Sequence, residues 1–364
     1  MNISRIKNCM KRAEMGEHLT LGFLGGSITE GSLSSSPEKC YAYLVYRWWK
    51  EQFPQAEFSY VNGGIGGTTS HYGAARAAVD LLMYQPDFVV LDFSVNDEPE
   101  PFFQETYEGV VRKILGWHSA PALVLLNNVC YDTGKNAQDY HNAVGEHYGV
   151  PHVSIKDTLY QDMLRGKYRQ KELTPDGLHP NDRGHFLVAE QIIGVLEQIR
   201  ALPDEPVGQE AFVSAPGKGT ALPSPMTQNA YENARRLTIR EISPKLSGFL
   251  ADPGEKMGHL DHFKNGWIGR KAGDSILFEV EASCIAVQYR KSVRHPALSA
   301  LLVLDGEEEH PVLLNGEFEE DWGDCLSLAP VLHHGARKKH KVKITVLEGE
   351  PGALPFYLIS LVIA

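Results

Sequence analysis

The sequence predicts an α/β domain, a parallel sheet covered by helices on both faces, followed by a smaller all-β sandwich or jelly roll. Three observations carry this. From residue 18 to about 200, short apolar runs alternate with longer segments of helical period. Residues 202–230 are rich in Pro, Gly and Ser and lose all periodicity. Beyond them come short alternating segments punctuated by Gly, Asp and Pro. The expected division is therefore 1–204, a linker or surface strap at 205–232, and a β-sandwich at 233–364. A chain of 364 residues suits two domains.

The first apolar run, LTLGFLG (20–26), is followed by FSYVNGG (58–64), FVVLDFSV (88–95), ALVLLNNV (122–129) and HVSI (152–155). Between them lie helical segments at 41–53, 71–84, 102–117 and 137–149, with a last one at 183–199. In 41–53 the apolar residues Leu44, Val45, Trp48 and Trp49 recur on one helical face. Strands this uniformly apolar are buried on both sides, which is the pattern of a parallel sheet between helical layers. Right-handed crossovers send every strand's C-terminal end to one rim, where ligands bind in such sheets. The later segments, 237–242, 275–290, 300–314, 340–349 and 356–364, read as antiparallel strands. The basic run Arg337 to Lys343 alternates with Val and His, as the polar face of a strand does.

Composition narrows the function. A net charge of −11 argues against a nucleic-acid partner, which needs concentrated Lys and Arg. Five dispersed cysteines without a CxxC pair suggest neither a disulfide scaffold nor a zinc knuckle, and fit a reducing compartment. No run reaches the roughly 18 apolar residues of a membrane span, and the N-terminus lacks an apolar signal core. The expectation is a cytoplasmic protein with no membrane partner; homo-oligomerisation stays open.

Four segments carry chemistry. Ser27 follows the first strand in GGSITEG, at the ligand rim; serine also simply ends strands, and the G-x-S-x-G elbow is absent because position 29 is Thr. The second strand runs into NGGIGGTTS, whose glycines let the backbone bend sharply or bare its N–H groups, as a turn or as an anion cradle. The third ends FSVND, delivering Asn96 and Asp97; an asparagine amide can donate to an oxygen gaining charge, and Asn-Asp also opens turns. In TPDGLHPNDRGH, Asp176 and His179 stand three apart, a spacing that lets the carboxylate fix the imidazole tautomer. A metal site formed by Asp176, His179, Asp182 and His185 is the competing reading of that stretch. Taken together, the segments supply a nucleophile, an oriented base and oxyanion donors at one sheet edge.

Ser27 in GGSIT, the glycines around Gly67, Asn96 in SVND and Asp176/His179 in DGLHP resemble the four sequence blocks of the SGNH (GDSL-type) hydrolases over residues 18 to about 198. That resemblance implies a flavodoxin-like α/β/α fold and a Ser-His-Asp esterase without metal or organic cofactor. It makes Ser27 the nucleophile, His179 the base and acid, and Asp176 its orienter. It places the oxyanion among the Ser27 N–H, the Gly67 N–H and the Asn96 side chain, with a one-residue slip to Gly66 left open. Two positions depart from the family: Gly26 replaces the usual Asp, and Ser94 the usual Gly.

An SGNH domain followed by a sandwich is similar to two-domain acetylesterases active on plant mannans, in which the sandwich acts as a carbohydrate-binding-like lid. The implied substrate is an acetylated oligosaccharide or polysaccharide, acetyl on mannose, with the axial 2-O position as the finest expectation. Trp322 and Trp267 are candidates to stack on a sugar ring; tryptophans buried at a domain interface would read the same way. The other readings are an SGNH lipase or thioesterase, and a binding module with a dead site.

Overall fold

One parallel sheet organises the first of two compact units, Met1–Glu232 and Asn233–Ala364, in the computed structural model, which describes residues 2–203 and 222–364. Its strands are β1 (His18–Gly25), β2 (Glu57–Gly64), β3 (Phe88–Asp92), β4 (Ala122–Asn127) and β5 (His152–Ser154), in spatial order β2-β1-β3-β4-β5 with every pairing parallel. The order reverses between β1 and β3, the point where open α/β sheets leave a crevice for ligands.

Nine helices surround it among the described residues: α1 (Asn2–Glu14), α2 (Ser27–Glu30), α3 (Tyr41–Gln52), α4 (Ser70–Asp80), α5 (Pro101–Leu115), α6 (Gln138–Tyr148), α7 (Leu159–Leu164), α8 (Gln170–Leu173) and α9 (Asp182–Ala201). α1, α3 and α9 pack together on one face and α4, α5 and α6 on the other, which makes three layers. α1 was not expected from the sequence. Only Ile6, Cys9, Met10 and Ala13 of its apolar side are buried, among basic residues, so its stripe is short. Among the described residues no helix is long and apolar enough to cross a membrane.

Most of the expected linker, residues 205–221, lies outside the described residues. The remainder, 222–232, lies along α5. Glu108 accepts hydrogen bonds from the N–H groups of Met226 (2.7 Å) and Thr227 (2.9 Å), and Glu105 from that of Ala230 (2.9 Å). Arg112 holds the Glu232 carboxylate at 2.8 Å, and Tyr231 is fully buried. Buried carboxylates that accept several N–H groups hold a strap without any secondary structure of its own.

The second unit is a sandwich of two antiparallel sheets. Its strands are β6 (Arg235–Leu237), β7 (Lys245–Ser247), β8 (Leu250–Ala251), β9 (Trp267–Gly269), β10 (Ser275–Ala282), β11 (Ile285–Lys291), β12 (Ala300–Leu304), β13 (Val312–Leu314), β14 (Cys325–Leu332), β15 (Lys338–Val346) and β16 (Phe356–Ile363). One sheet runs β13-β12-β15-β10-β7 and the other β14-β11-β16-β9-β8, with β6 beside β16. In β15, Lys339, Lys341 and Lys343 face solvent while His340, Val342 and Ile344 point inward, so the basic run is the polar side of a strand.

Trp267 corrects an expectation. It was a candidate sugar platform, but it sits on β9 paired with β16, 1% exposed, its ring edge-on to Phe278 with centroids 5.1 Å apart. An indole enclosed on all sides stabilises the sandwich and cannot stack on a ligand. Trp267→Ala is expected to destabilise this unit by about 3–5 kcal/mol in urea unfolding, the usual cost of emptying so large a site; unchanged unfolding would mean the indole is not a core group.

Candidate active site

The three strands next to the switch point end level with one another: Gly25 pairs with Gly64 on one side and Asp92 on the other. The loops that follow must therefore leave the sheet together. Arg76, fully buried on α4, fastens them from below. Its guanidinium donates to the carbonyls of Gly25 (2.8 Å) and Gly63 (2.5 Å) and pairs with Asp80 (3.2 Å). Gly64 permits the close approach of β2 to α2, because a Cβ there would fall 2.2 Å from the Glu30 backbone nitrogen.

Ser27 opens α2 directly after β1, with Gly26 N–H held by the Asp92 carbonyl at 3.2 Å. Its hydroxyl meets His179 Nε2 at 2.8 Å. His179 Nδ1 in turn lies 2.7 Å from Asp176 Oδ2, while Asp176 Oδ1 accepts from the N–H groups of Leu178 (2.9 Å) and His179 (2.8 Å) and from Thr174 Oγ1 (3.0 Å). Partial burial pushes the Asp176 carboxyl up, but the hydrogen bonds from His179 and the two N–H groups outweigh it and bring it down to about 2. An ionised Asp176 accepts the Nδ1 proton, so Nε2 presents a lone pair to the Ser27 hydroxyl.

Gly67 and Asn96 reach the same rim. Gly67 is exposed in the left-handed conformation (φ +66°) that glycine adopts freely. Gly66 N–H already donates to Glu30 Oε2 at 2.5 Å, which leaves Gly67 as the better donor of the two. Asn96 Oδ1 is buried without a partner, and a Cβ on Gly26 would lie 2.2 Å from it. The residue ahead of Ser27 and the Asn96 amide thus compete for one space, which accounts for Gly26. Ser94, the other departure, turns its hydroxyl to the Asn128 carbonyl at 3.0 Å.

Asp182 and His185 do not join Asp176 and His179. The Asp182 carboxylate accepts from Ser35 N–H (2.7 Å) and Lys39 Nζ (2.7 Å). His185 Nδ1 accepts from Tyr41 N–H (3.3 Å), so Nε2 carries the proton and donates to the Ser32 carbonyl (3.2 Å). These two side chains anchor the loop after α2 to the start of α9, and the four-ligand metal alternative has no common centre.

Sequence reasoning missed Asp92, which is wholly enclosed behind the nucleophile turn. Burial pushes its carboxyl up to about 7, against hydrogen bonds from Asn128 Nδ2 (2.8 Å) and Thr29 Oγ1 (3.2 Å). The one available signal was an acidic residue closing an otherwise apolar strand. Of the two tryptophans, Trp322 is 55% exposed on the second unit, edge-on to Phe318 at 5.0 Å, with its indole N–H on Glu320 at 2.7 Å.

Comparison with known proteins agrees with this architecture. The sequence pattern of the GDSL-like lipase/acylhydrolase family matches residues 23–187. The crystal structure of a two-domain esterase active on acetylated mannans superposes with a TM-score of 0.92 and 46% identity, covering 98% of this chain and 94% of that one. A second structure of such an esterase, co-crystallised with mannopentaose, matches equally well. Thioesterase 1/protease 1/lysophospholipase L1 of Escherichia coli K12 is 25% identical over 187 residues, 50% of this chain and 84% of that protein.

His185 gives the site a pH dependence. Burial lowers it from 6.5 to about 4, against the opposing pull of the Ser32 carbonyl and Asp182. A folded-state value below the unfolded one favours the neutral ring, so its contribution is full above pH 6.5 and lost as pH falls from there towards 4. Urea unfolding over that window should show wild-type stability dropping by on the order of 3 kcal/mol more than that of His185→Asn; parallel curves would show that another group titrates.

Proposed function

This chain belongs to the GDSL-like lipase/acylhydrolase family, and from that membership we propose that it is a serine esterase removing O-acetyl groups from mannan-type oligosaccharides. The observation that carries the chemistry is the hydrogen-bond chain Ser27–His179–Asp176. His179 takes the hydroxyl proton as Ser27 attacks the ester carbonyl, and Asp176 stabilises the resulting imidazolium. The tetrahedral oxyanion is received by the N–H groups of Ser27 and Gly67 and by the Asn96 amide, where losing one donor costs about 10²–10³-fold in rate. His179 returns the proton to the departing sugar hydroxyl. Water then attacks the acyl-Ser27 carbonyl by the same route and releases acetate.

The substrate reading draws on likeness along both units to an esterase active on acetylated mannans. Trp322 supports it from the second unit, because an exposed indole braced by Phe318 and Glu320 offers a flat apolar face to a sugar ring. We assign the sandwich a carbohydrate-binding role on that basis, with acetyl at the axial 2-O position of mannose as the favoured ester.

Acetate release from acetylated glucomannan, xylan and pectin oligosaccharides tests the reading, alongside nitrophenyl acetate and octanoate. Glucomannan and the acetate ester should be preferred, and Ser27→Ala should be inactive on all of them. Activity retained without Ser27 defeats the mechanism, and faster octanoate turnover points to a lipase or thioesterase. Trp322→Ala should raise KM on acetylated mannan by about 5-fold, a stacking contact being worth about 1 kcal/mol, and leave nitrophenyl acetate hydrolysis unchanged. Equal KM on the polysaccharide would remove Trp322 from substrate binding.

A further inference from the structure

The three donors assigned to the oxyanion stand on three separate loops, and two carboxylates outside the Ser27–His179–Asp176 chain tie those loops together. Glu30 lies three residues after Ser27 in α2, and its Oε2 accepts the Gly66 N–H at 2.5 Å. Asp97 directly follows Asn96, and its Oδ1 accepts the Ser70 N–H at the start of α4 at 2.8 Å. Gly67 lies between these two anchored N–H groups, and Thr68 closes the turn by donating to the Ile65 carbonyl at 2.7 Å. Each flank of the Gly67 loop is thus gripped by an acid from a different donor's loop.

We propose that Glu30 and Asp97 are positioning residues of the oxyanion pocket, Glu30 fixing the Gly67 loop to Ser27 and Asp97 fixing it to Asn96. The proposal rests on the assignment of Ser27, Gly67 and Asn96 above. Charge-assisted bonds from backbone N–H to carboxylate are short and directional, as fixing a glycine-rich loop requires. The Asp97 anchor is itself rigid. Its second oxygen lies 3.0 Å from His141 Nε2, and the His141 ring is fully buried and stacked on Tyr107, centroids 3.5 Å apart and 3° from parallel. With a carboxylate on Nε2, the proton belongs there, and the imidazole serves as a prop and not as a base. Neither acid touches the Ser27–His179 pair in the structure's hydrogen bonds. Their effect on the reaction therefore passes through donor alignment, to which a preorganised pocket is sensitive.

The test uses the full chain with nitrophenyl acetate, measuring kcat, KM and the thermal unfolding midpoint. Glu30→Ala and Asp97→Ala should each lower kcat by about 10- to 100-fold, as small misplacements do, with KM within about two-fold because ground-state binding is untouched. Glu30→Gln, which keeps an acceptor oxygen, should recover most of the Glu30→Ala loss. In an Asn96→Ala background, Asp97→Ala should cost far less than alone, since its target is gone. Full kcat in both single variants, or losses that add fully to Asn96→Ala, would overturn the proposal. If one of the two alanine variants does not fold, the other decides by the same criteria. Ser27→Ala run in parallel separates the two levels: activity there defeats the esterase assignment, whereas an inactive Ser27→Ala beside fully active Glu30 and Asp97 variants defeats only this inference.

Discussion

A 2.8 Å hydrogen bond between Ser27 and His179 joins groups 152 residues apart in the chain, and much of the first unit is arranged to keep it. Side chains that far apart meet reliably only if the scaffold between them is rigid. The parallel sheet provides this by ending β1, β2 and β3 at one level, so the turns that carry Ser27, Gly67 and Asn96 start from a common plane. Arg76 stiffens that plane. A guanidinium with no access to water must spend its donors on protein, and here they bridge carbonyls at the C-terminal ends of two neighbouring strands, Gly25 of β1 and Gly63 of β2. On the other side, His185 and Asp182 bind the loop after α2 to the start of α9, just past the His179 loop.

Four carboxylates around this rim behave differently because their surroundings differ. Asp176 collects N–H and imidazole donors near the surface and stays ionised down to about 2. Asp92, enclosed with one oxygen unpartnered, is pushed up to about 7. Glu30 and Asp97 each take a backbone N–H from the glycine loop. Chemical identity alone does not set these roles; the balance of desolvation against hydrogen bonding does.

The second unit obeys a simpler rule. Its inward residues, among them Trp267, Phe278, Val342, Ile344 and Leu358, form one core between two antiparallel sheets, and most of its charged residues face out. Trp322 breaks that rule by leaving a large apolar face in solvent. The strap at 222–232 shows how an irregular segment is held when it has no ladder of its own: Glu105 and Glu108 satisfy its N–H groups from one helix.

The sequence by itself determined the parallel sheet, because five near-continuous apolar runs separated by amphipathic segments have no other stable arrangement, and it brought Ser27, Asn96, Asp176 and His179 and the glycine block after the second strand forward because each follows a strand or sits in a Gly/Pro-bracketed loop, with Gly67 singled out by the resemblance to the SGNH hydrolases. It left α1 unread, since four buried apolar residues among basic ones make only a short stripe, and it passed over β14 (Cys325–Leu332), most of which is only half-buried and lacks strict alternation. Tertiary structure decided that Trp267 is core and Trp322 is not, as both stand in similar polar, Gly-containing stretches of sequence and only strand pairing and packing distinguish them. It also decided the partners of Arg76, Glu30 and Asp97. Apart from side chains such as Asp80 on Arg76 and His141 on Asp97, those partners are backbone carbonyls and N–H groups, which nearly every residue carries, so no residue type in the sequence marks them; only the folded chain brings a particular one within hydrogen-bond reach.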